Sequence, residues 1–592
     1  MKMRLGLVFL LISILSCTKK ENITGFTSRV NQEYKELGEE LSKAAWVNAT
    51  YLTDDTDFLS SKASEKELSY TNKVVKEAAR FKDIPPHEGE GRMVYLLRNS
   101  VTLVAPSETS KQKELAEITT KMQALYGKGK YCKTPEQCKN LDELSDILAK
   151  SKNYDELLDA WQGWRTISPP LKDMYARFVE LSNEGAQEIG FKNTAELWQA
   201  RYDMPADQFV QEVDRLWLQV KPLYESLHCY VRSHLSKVFA GKVTDVGPMP
   251  AHILGNMWSQ QWGNVYKYVE PYKGVSSIDI TKLLQQKKYD ALKMVKTAES
   301  FFTSLGFENL PKSFYEKSMF LRPRDREVVC HASAWDMNAG AGDLRIKMCI
   351  KIDEEDFTTI HHELGHIFYY QSYAHQPVIF QTGANDGFHE AIGDAIALSI
   401  NPTYLKKIGL LSQFTTNEKA LINEQMKNAL EKIAFLPFGR LMDQWRYDVF
   451  SGKVTAKEYN THWWKLVKEY QGLVPAVERG EEFFDAGSKY HIPANTPYMR
   501  YFLSFILQFQ FHKSLCALSG HTGPLHECSI YESKTAGKAF KEMLSLGASK
   551  PWPETLKTLT GTDKMDASAL MEYFAPLEKW LGEQNKDKKC GW

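Results

Sequence analysis

Two histidines four residues apart enclose a glutamate in Ile360-His361-His362-Glu363-Leu364-Gly365-His366-Ile367. On an α-helix residues four apart share a face, so His362 and His366 can both present a ring nitrogen to one zinc ion, with Glu363 beside them as a general base for water. Ile360, Leu364 and Ile367 predict a helix buried on one side, and Gly365 permits close packing there. A catalytic zinc needs three protein ligands and an open position, so a third donor is expected downstream. Phe388-His389-Glu390-Ala391-Ile392-Gly393-Asp394 reads as an apolar helix carrying carboxylates at Glu390 and, one turn on, Asp394. A charge buried in such a helix requires a partner. Glu390 is assigned as the third ligand and Asp394 as the support behind the ligands; His389 is the competing ligand, and a structural salt bridge at Glu390 is the alternative without metal.

The elements that must hold these groups are mostly helical. Val30, Tyr34, Leu37 and Leu41, then Phe209, Val213, Leu216 and Val220, then Ile422, Met426, Leu430 and Ile433 repeat at three and four residues, each predicting an amphipathic helix. One strand is predicted where Leu344, Ile346, Met348 and Ile350 alternate with Arg345, Lys347 and Cys349, paired as a hairpin with Cys330 to Trp335 across the turn at Gly340 to Gly342. No repeat, Pro-rich linker or charge run divides residues 29–585, which read as one helical body followed by a loose polar tail, 586–592. The 592 residues carry Lys+Arg 74 against Asp+Glu 74, a net charge of +0 with 43% hydrophobic residues. That balance excludes nucleic acid as a default partner, because no excess of cations drives counterion release.

The N-terminus reads as an export signal, residues 1–16, with Lys2 and Arg4 before an apolar run too short to span a bilayer. Its end, Ile14-Leu15-Ser16-Cys17, resembles a bacterial lipobox, which predicts lipidation of Cys17, a polar tether over 17–28 and a periplasmic or cell-surface lipoprotein; a plainly secreted chain is the alternative. Among the nine cysteines, Cys132 with Cys138, Cys330 with Cys349, and Cys516 with Cys528 would each close a short loop, as suits an exported chain, although Cys330 and Cys349 as zinc ligands are a rival reading. Cys229 and Cys590 are left over as free thiols. Asn22-Ile-Thr and Asn48-Ala-Thr are glycosylation sequons.

Taken together these motifs resemble the angiotensin-converting enzyme family, the peptidyl-dipeptidase A zinc metallopeptidases. The resemblance covers the two metal segments together with Cys330-His331-Ala332-Ser333-Ala334-Trp335-Asp336, Pro497-Tyr498-Met499-Arg500-Tyr501-Phe502 and Gln508-Phe509-Gln510-Phe511-His512, in order along residues 29–585. It implies an all-α fold, predominantly helical with a small β-hairpin, whose two subdomains enclose a deep cleft with zinc at its floor. All three local cysteine pairs match the family's disulfides. By the same resemblance His491 donates a proton to the leaving amine and Tyr501 hydrogen-bonds the oxyanion, while Gln260, Lys489 and Tyr498 hold a substrate's free C-terminal carboxylate. A cation with two neutral donors is a sound carboxylate clamp. His331 and Ala332 match the edge that aligns the peptide backbone, a form of strand addition.

The implied activity is release of dipeptides from oligopeptides with a free C-terminus. A mono-carboxypeptidase, in which an arginine replaces Gln260, and a catalytically silent binding protein are the alternatives. Of the family's two chloride sites, the one matching Tyr202 and Arg500, with Trp198 nearby, is filled. The other keeps Arg165 and Trp463 but has Val467 where a basic residue is expected. One chloride ion, at Tyr202 and Arg500, is therefore the expectation.

Overall fold

The computed structural model describes residues 21–275, 278–413 and 417–592. The expected export signal and the lipidation site Cys17 lie outside the described residues. The chain opens with a helical hairpin, α1 (Ile23–Thr50) and α2 (Asp54–Ala78). Asn22 caps α1 by accepting from the Gly25 backbone N–H, and Thr53 with Thr56 forms a capping box at the start of α2, so each helix has an orphan donor satisfied where it begins. The tether expected over 17–28 is therefore too long: Phe26 and Val30 are fully buried against Val74 and Ala78, and this apolar stripe keeps residues 23–28 helical.

Five further helices and one hairpin position the chemistry. They are α3 (Ala206–Val238), β1 (Ser333–Asp336), β2 (Leu344–Lys347), α4 (Glu354–Tyr373), α5 (Phe388–Ala397), α6 (Glu418–Phe450) and α7 (Met499–Leu518), the last completing the set. The predicted apolar stripes of α3 and α6 are buried as their spacing requires. The hairpin also forms, antiparallel, with Ser333 opposite Lys347 and Asp336 opposite Leu344. Asp353 caps α4, and Glu354, Glu355 and Asp356 follow in its first turn, where the helix dipole favours negative charge. Helix α5 packs between α4 and α7, and α6 packs against both α7 and α3. One apolar core runs through all of them, from Val75 to Leu581. Among the described residues no helix is long and apolar enough to cross a membrane.

Four disulfides close, Cys132–Cys138, Cys330–Cys349, Cys516–Cys528 and Cys229–Cys590. The fourth corrects the expectation that Cys229 and Cys590 are free. They lie 361 residues apart, beyond the reach of any local rule, and meet only because the chain end returns to α3. The same return corrects the expectation of a loose tail over 586–592. Arg232, buried on α3, donates to the backbone oxygens of Lys589 and Gly591, and the Trp592 ring packs on His228. Gly472 leaves room for that ring, since a Cβ there would lie 2.4 Å from it.

Alkylation of the folded chain under denaturing, non-reducing conditions should leave the eight bridged cysteines unmodified, and reduction should expose all eight. Replacing Cys590 with Ser should destabilise the protein by about 2–5 kcal/mol. An unchanged denaturation midpoint would mean that the Arg232 and Trp592 contacts hold the chain end unaided.

Candidate active site

Helices α4 and α5 cross at two glycines. A Cβ on Gly365 would lie 2.7 Å from Gly393 Cα, and a Cβ on Gly393 would lie 2.7 Å from the His362 ring. No side chain fits at either position, so the two backbones touch and the histidine face of α4 looks directly onto Glu390 of α5. His362 Nε2 and His366 Nε2 lie 3.1 Å apart, and Glu390 Oε2 is 3.6 Å from His362 Nε2. Donors bound tetrahedrally to one zinc at about 2.0–2.2 Å lie about 3.3–3.5 Å from each other, so this set fits such an ion. One donor atom from each of the three residues falls within 4.8 Å of the others.

The outer partners orient these donors. His362 Nδ1 lies 3.1 Å from Asp394 Oδ1, which leaves Nε2 as the outward-facing lone pair. Lys432 of α6 stands 3.7 Å from the other oxygen of Asp394. Burial opposes ionisation of Asp394, yet Lys432 and His362 outweigh it and hold the carboxyl below the usual range. Burial likewise works against a charged His362 ring and is overcome by Asp394 and Glu390, so the field here favours a cation. His389, the competing ligand by sequence, stands behind the site: its Nδ1 is 3.1 Å from His366 Nδ1 and its Nε2 is 3.1 Å from the Tyr373 hydroxyl. His361 is also accounted for, donating from Nδ1 to the Phe357 carbonyl and accepting at Nε2 from Tyr404. Glu363 is buried beside the ligands, and that burial raises its pKa.

On the other wall, Asp443 of α6 anchors the start of α7. Its Oδ2 accepts from the backbone N–H groups of Tyr498 and Met499 at 2.8 and 2.7 Å, while Oδ1 pairs with Arg446. This fixes Tyr498 and, one turn on, Tyr501. The carboxylate clamp expected from the sequence converges: Lys489 Nζ donates to Gln260 Oε1 at 2.7 Å, and the Tyr498 hydroxyl donates to the same oxygen at 3.2 Å. Trp258 lies under the ammonium, 3.9 Å from Nζ to ring centroid, a contact the sequence reading omitted because Trp258 belongs to no motif. Among the described residues no carboxylate pairs with Lys489, and burial lowers its pKa to about 7. The outer edge of β1 pairs with no strand among the described residues, and His331 and Ala332 lead directly into it.

Burial, aided by Lys489 and Arg446, lowers the pKa of His491 to about 3. Its Nδ1 has no partner, and the ring stands 6.1 Å from that of Tyr501. Burial raises the Tyr501 pKa, keeping the phenol a neutral donor. At the family's chloride position that the sequence leaves incomplete, Arg165 is buried against Trp161 and bonded to the Trp161 and Met257 carbonyls, with Val467 buried in the neighbouring turn. At the other, Arg500 stands beside Tyr202 but faces a carboxylate, Asp386, which the sequence reading did not weigh.

A family model described as angiotensin-converting enzyme, Peptidase_M2, matches residues 17–592. The chain is 42% identical over 579 residues to an angiotensin-converting enzyme of Bos taurus, covering 96% of this chain and 44% of that one. It is 43% identical over 561 residues to that of Rattus norvegicus, covering 93% and 42%. With the angiotensin-converting enzyme of Theromyzon tessulatum the identity is 40% over 601 residues, covering 99% of this chain and 96% of the other. The chain thus spans less than half the length of the two mammalian relatives and nearly all of the third.

Two outcomes test this geometry. Gly393→Ala should drive a methyl into the His362 ring and lower zinc affinity at least about tenfold at a stability cost of about 1–3 kcal/mol; competition with a fluorescent chelator reads the first and thermal melting the second. The Lys489 clamp sets a pH dependence. Its ammonium is charged below about pH 7 and neutral above, so affinity for a peptide carboxylate should be full on the acid side and fall as pH rises through about 7. A KM for C-terminally free peptide that stays flat from pH 6 to pH 9, while Lys489→Met still raises it, would place the titration elsewhere.

Proposed function

The chain belongs to the angiotensin-converting enzyme family, and from that premise we propose that it is a zinc-dependent peptidyl-dipeptidase releasing dipeptides from the free C-terminus of oligopeptides. The observation that carries the reading is the coexistence of a zinc-type donor set, His362, His366 and Glu390, with a clamp at Gln260, Lys489 and Tyr498 whose lysine lacks an anion. A metallopeptidase needs only the first; an exopeptidase acting at a C-terminus needs the second as well.

When bound by His362, His366 and Glu390, zinc supplies Lewis-acid polarisation of a carbonyl and acidifies water at neutral pH. The substrate's terminal carboxylate meets Lys489, Gln260 and the Tyr498 hydroxyl, and its backbone extends the free edge of β1 near His331 and Ala332. Glu363 takes a proton from the attacking water. Its raised pKa makes it able to hold that proton and pass it to the departing amine, the part first expected of His491. Tyr501 donates its O–H to the oxygen on which charge develops, and the neutral His491 ring donates an N–H hydrogen bond to the same region. Gln260, being neutral and shorter than arginine, leaves room for two residues beyond the cut.

Four disulfides and the N-terminal pattern support an exported chain working in an oxidising compartment, anchored through Cys17 or secreted. Mass spectrometry of an N-terminally blocked peptide should show successive loss of dipeptides, halted by a chelator and restored by zinc. Release of single residues would favour the mono-carboxypeptidase reading. Glu363→Gln should retain zinc yet lose at least about a thousandfold in kcat, and substantial turnover by that variant would remove Glu363 from the proton path.

A further inference from the structure

Asp386 lies in the loop before α5, four residues ahead of Glu390, and Arg500 lies in the first turn of α7, adjacent to Tyr501. Arg500 Nε is 3.4 Å from Asp386 Oδ2, with the two side chains 27% and 11% exposed. Among the described residues, neither carboxylate oxygen of Asp386 has a hydrogen-bond partner, and neither does Arg500 Nε. The guanidinium is therefore the charge that neutralises this carboxylate. Tyr202 completes the group; burial dominates in raising its phenol pKa, and the charges of Asp386 and Arg500 both act on it. Between the two charged residues the backbones touch, since a Cβ on Gly387 would lie 3.3 Å from the Arg500 carbonyl oxygen and 3.3 Å from Leu503 Cβ.

We propose that Asp386 is the resident anion of this site: its carboxylate, in place of a diffusible halide, holds Arg500 and so positions Tyr501 relative to Glu390. This replaces the expectation of a chloride ion bound by Tyr202 and Arg500. An anion entering there would stand beside a carboxylate whose nearby cation is Arg500, and like charges repel strongly where water is excluded. The family's other chloride position lacks its second basic residue, because Val467 supplies no charge there, and two of the three Arg165 guanidinium nitrogens already donate to the Trp161 and Met257 carbonyls. Asp443 is the nearest other acid to the start of α7, and it is committed to Arg446 and to the N–H groups of Tyr498 and Met499. Asp386 thus serves as a positioning residue, joining the loop that delivers a metal ligand to the helix that delivers the oxyanion donor.

The inference rests on the peptidase reading for its kinetic consequence and on geometry alone for its anion consequence. Zinc-loaded wild type, Asp386→Asn and Asp386→Glu are compared in gluconate and in chloride at one ionic strength, by kcat, KM, zinc content and thermal melting. Wild type should turn over and melt alike in both salts. Asp386→Asn should keep its zinc and KM, lose roughly tenfold or more in kcat in gluconate, and regain much of it in chloride. Its melting temperature should rise in chloride, because an ion that binds only the folded state stabilises it. Asp386→Glu should restore halide independence. A wild type that depends on chloride, by activity or by melting, overturns the proposal, as does an Asp386→Asn variant that behaves as wild type in both salts; the wild-type arm holds even if the variant does not fold. A wild type inactive on every peptide but indifferent to chloride in melting would sink the peptidase reading and leave the resident anion standing.

Discussion

The contact on which the rest of this structure depends is the crossing of α4 and α5 at Gly365 and Gly393. With a hydrogen in place of each side chain the helix backbones meet, and the His362 ring lies across Gly393. Two histidines on one helix can at most define an edge of a coordination polyhedron. A third donor must come from another element, and helices separated by ordinary side chains, with axes about 8–10 Å apart, would hold Glu390 too far away. The layers around this crossing, α7 beyond α5 and α6 beyond α7, then place every other group relative to one fixed point.

Electrostatically the cleft has two ends of opposite character. Around the metal donors stand Glu363, Glu390 and Asp394, a field that favours a cation. Around Lys489 stand the neutral groups of Gln260 and Tyr498 and the Trp258 face, a field that favours an anion. Under the proposed function, a peptide lying between them would be oriented by that contrast, with its carboxylate at one end and its scissile carbonyl at the other. This is how a chain of net charge +0 comes to carry a strongly polarised interior. The charges cancel over the whole molecule, while within the site the acidic groups gather at the metal donors and the ammonium of Lys489 stands apart from them.

Legibility followed the range of the interaction. His362, Glu363 and His366 could be read because helical periodicity alone places them together, and Glu390 because a carboxylate in an apolar helix needs a partner. His389 was visible as a candidate, but only packing shows that it stands behind His366 instead of beside it. The three short disulfides are apparent from spacing, whereas Cys229–Cys590 spans 361 residues and obeys no spacing rule. His491 shows a different limit: its place in a motif suggested an acid, while its protonation depends on burial and on Lys489 and Arg446, none of which a linear reading weighs.

By itself, then, the sequence determined a helical body with one hairpin, a zinc-type donor pair with a candidate third donor, and a family, because each rests on local periodicity or on residues kept in order along the chain. Tertiary structure alone decided which histidines face Glu390 and which one stands behind them, that the chain end is sewn to α3 beneath Trp592, and that Arg500 faces Asp386. Those outcomes depend on distances between segments remote in sequence and on the dielectric around them. Both quantities come into being only when the core closes and water leaves it.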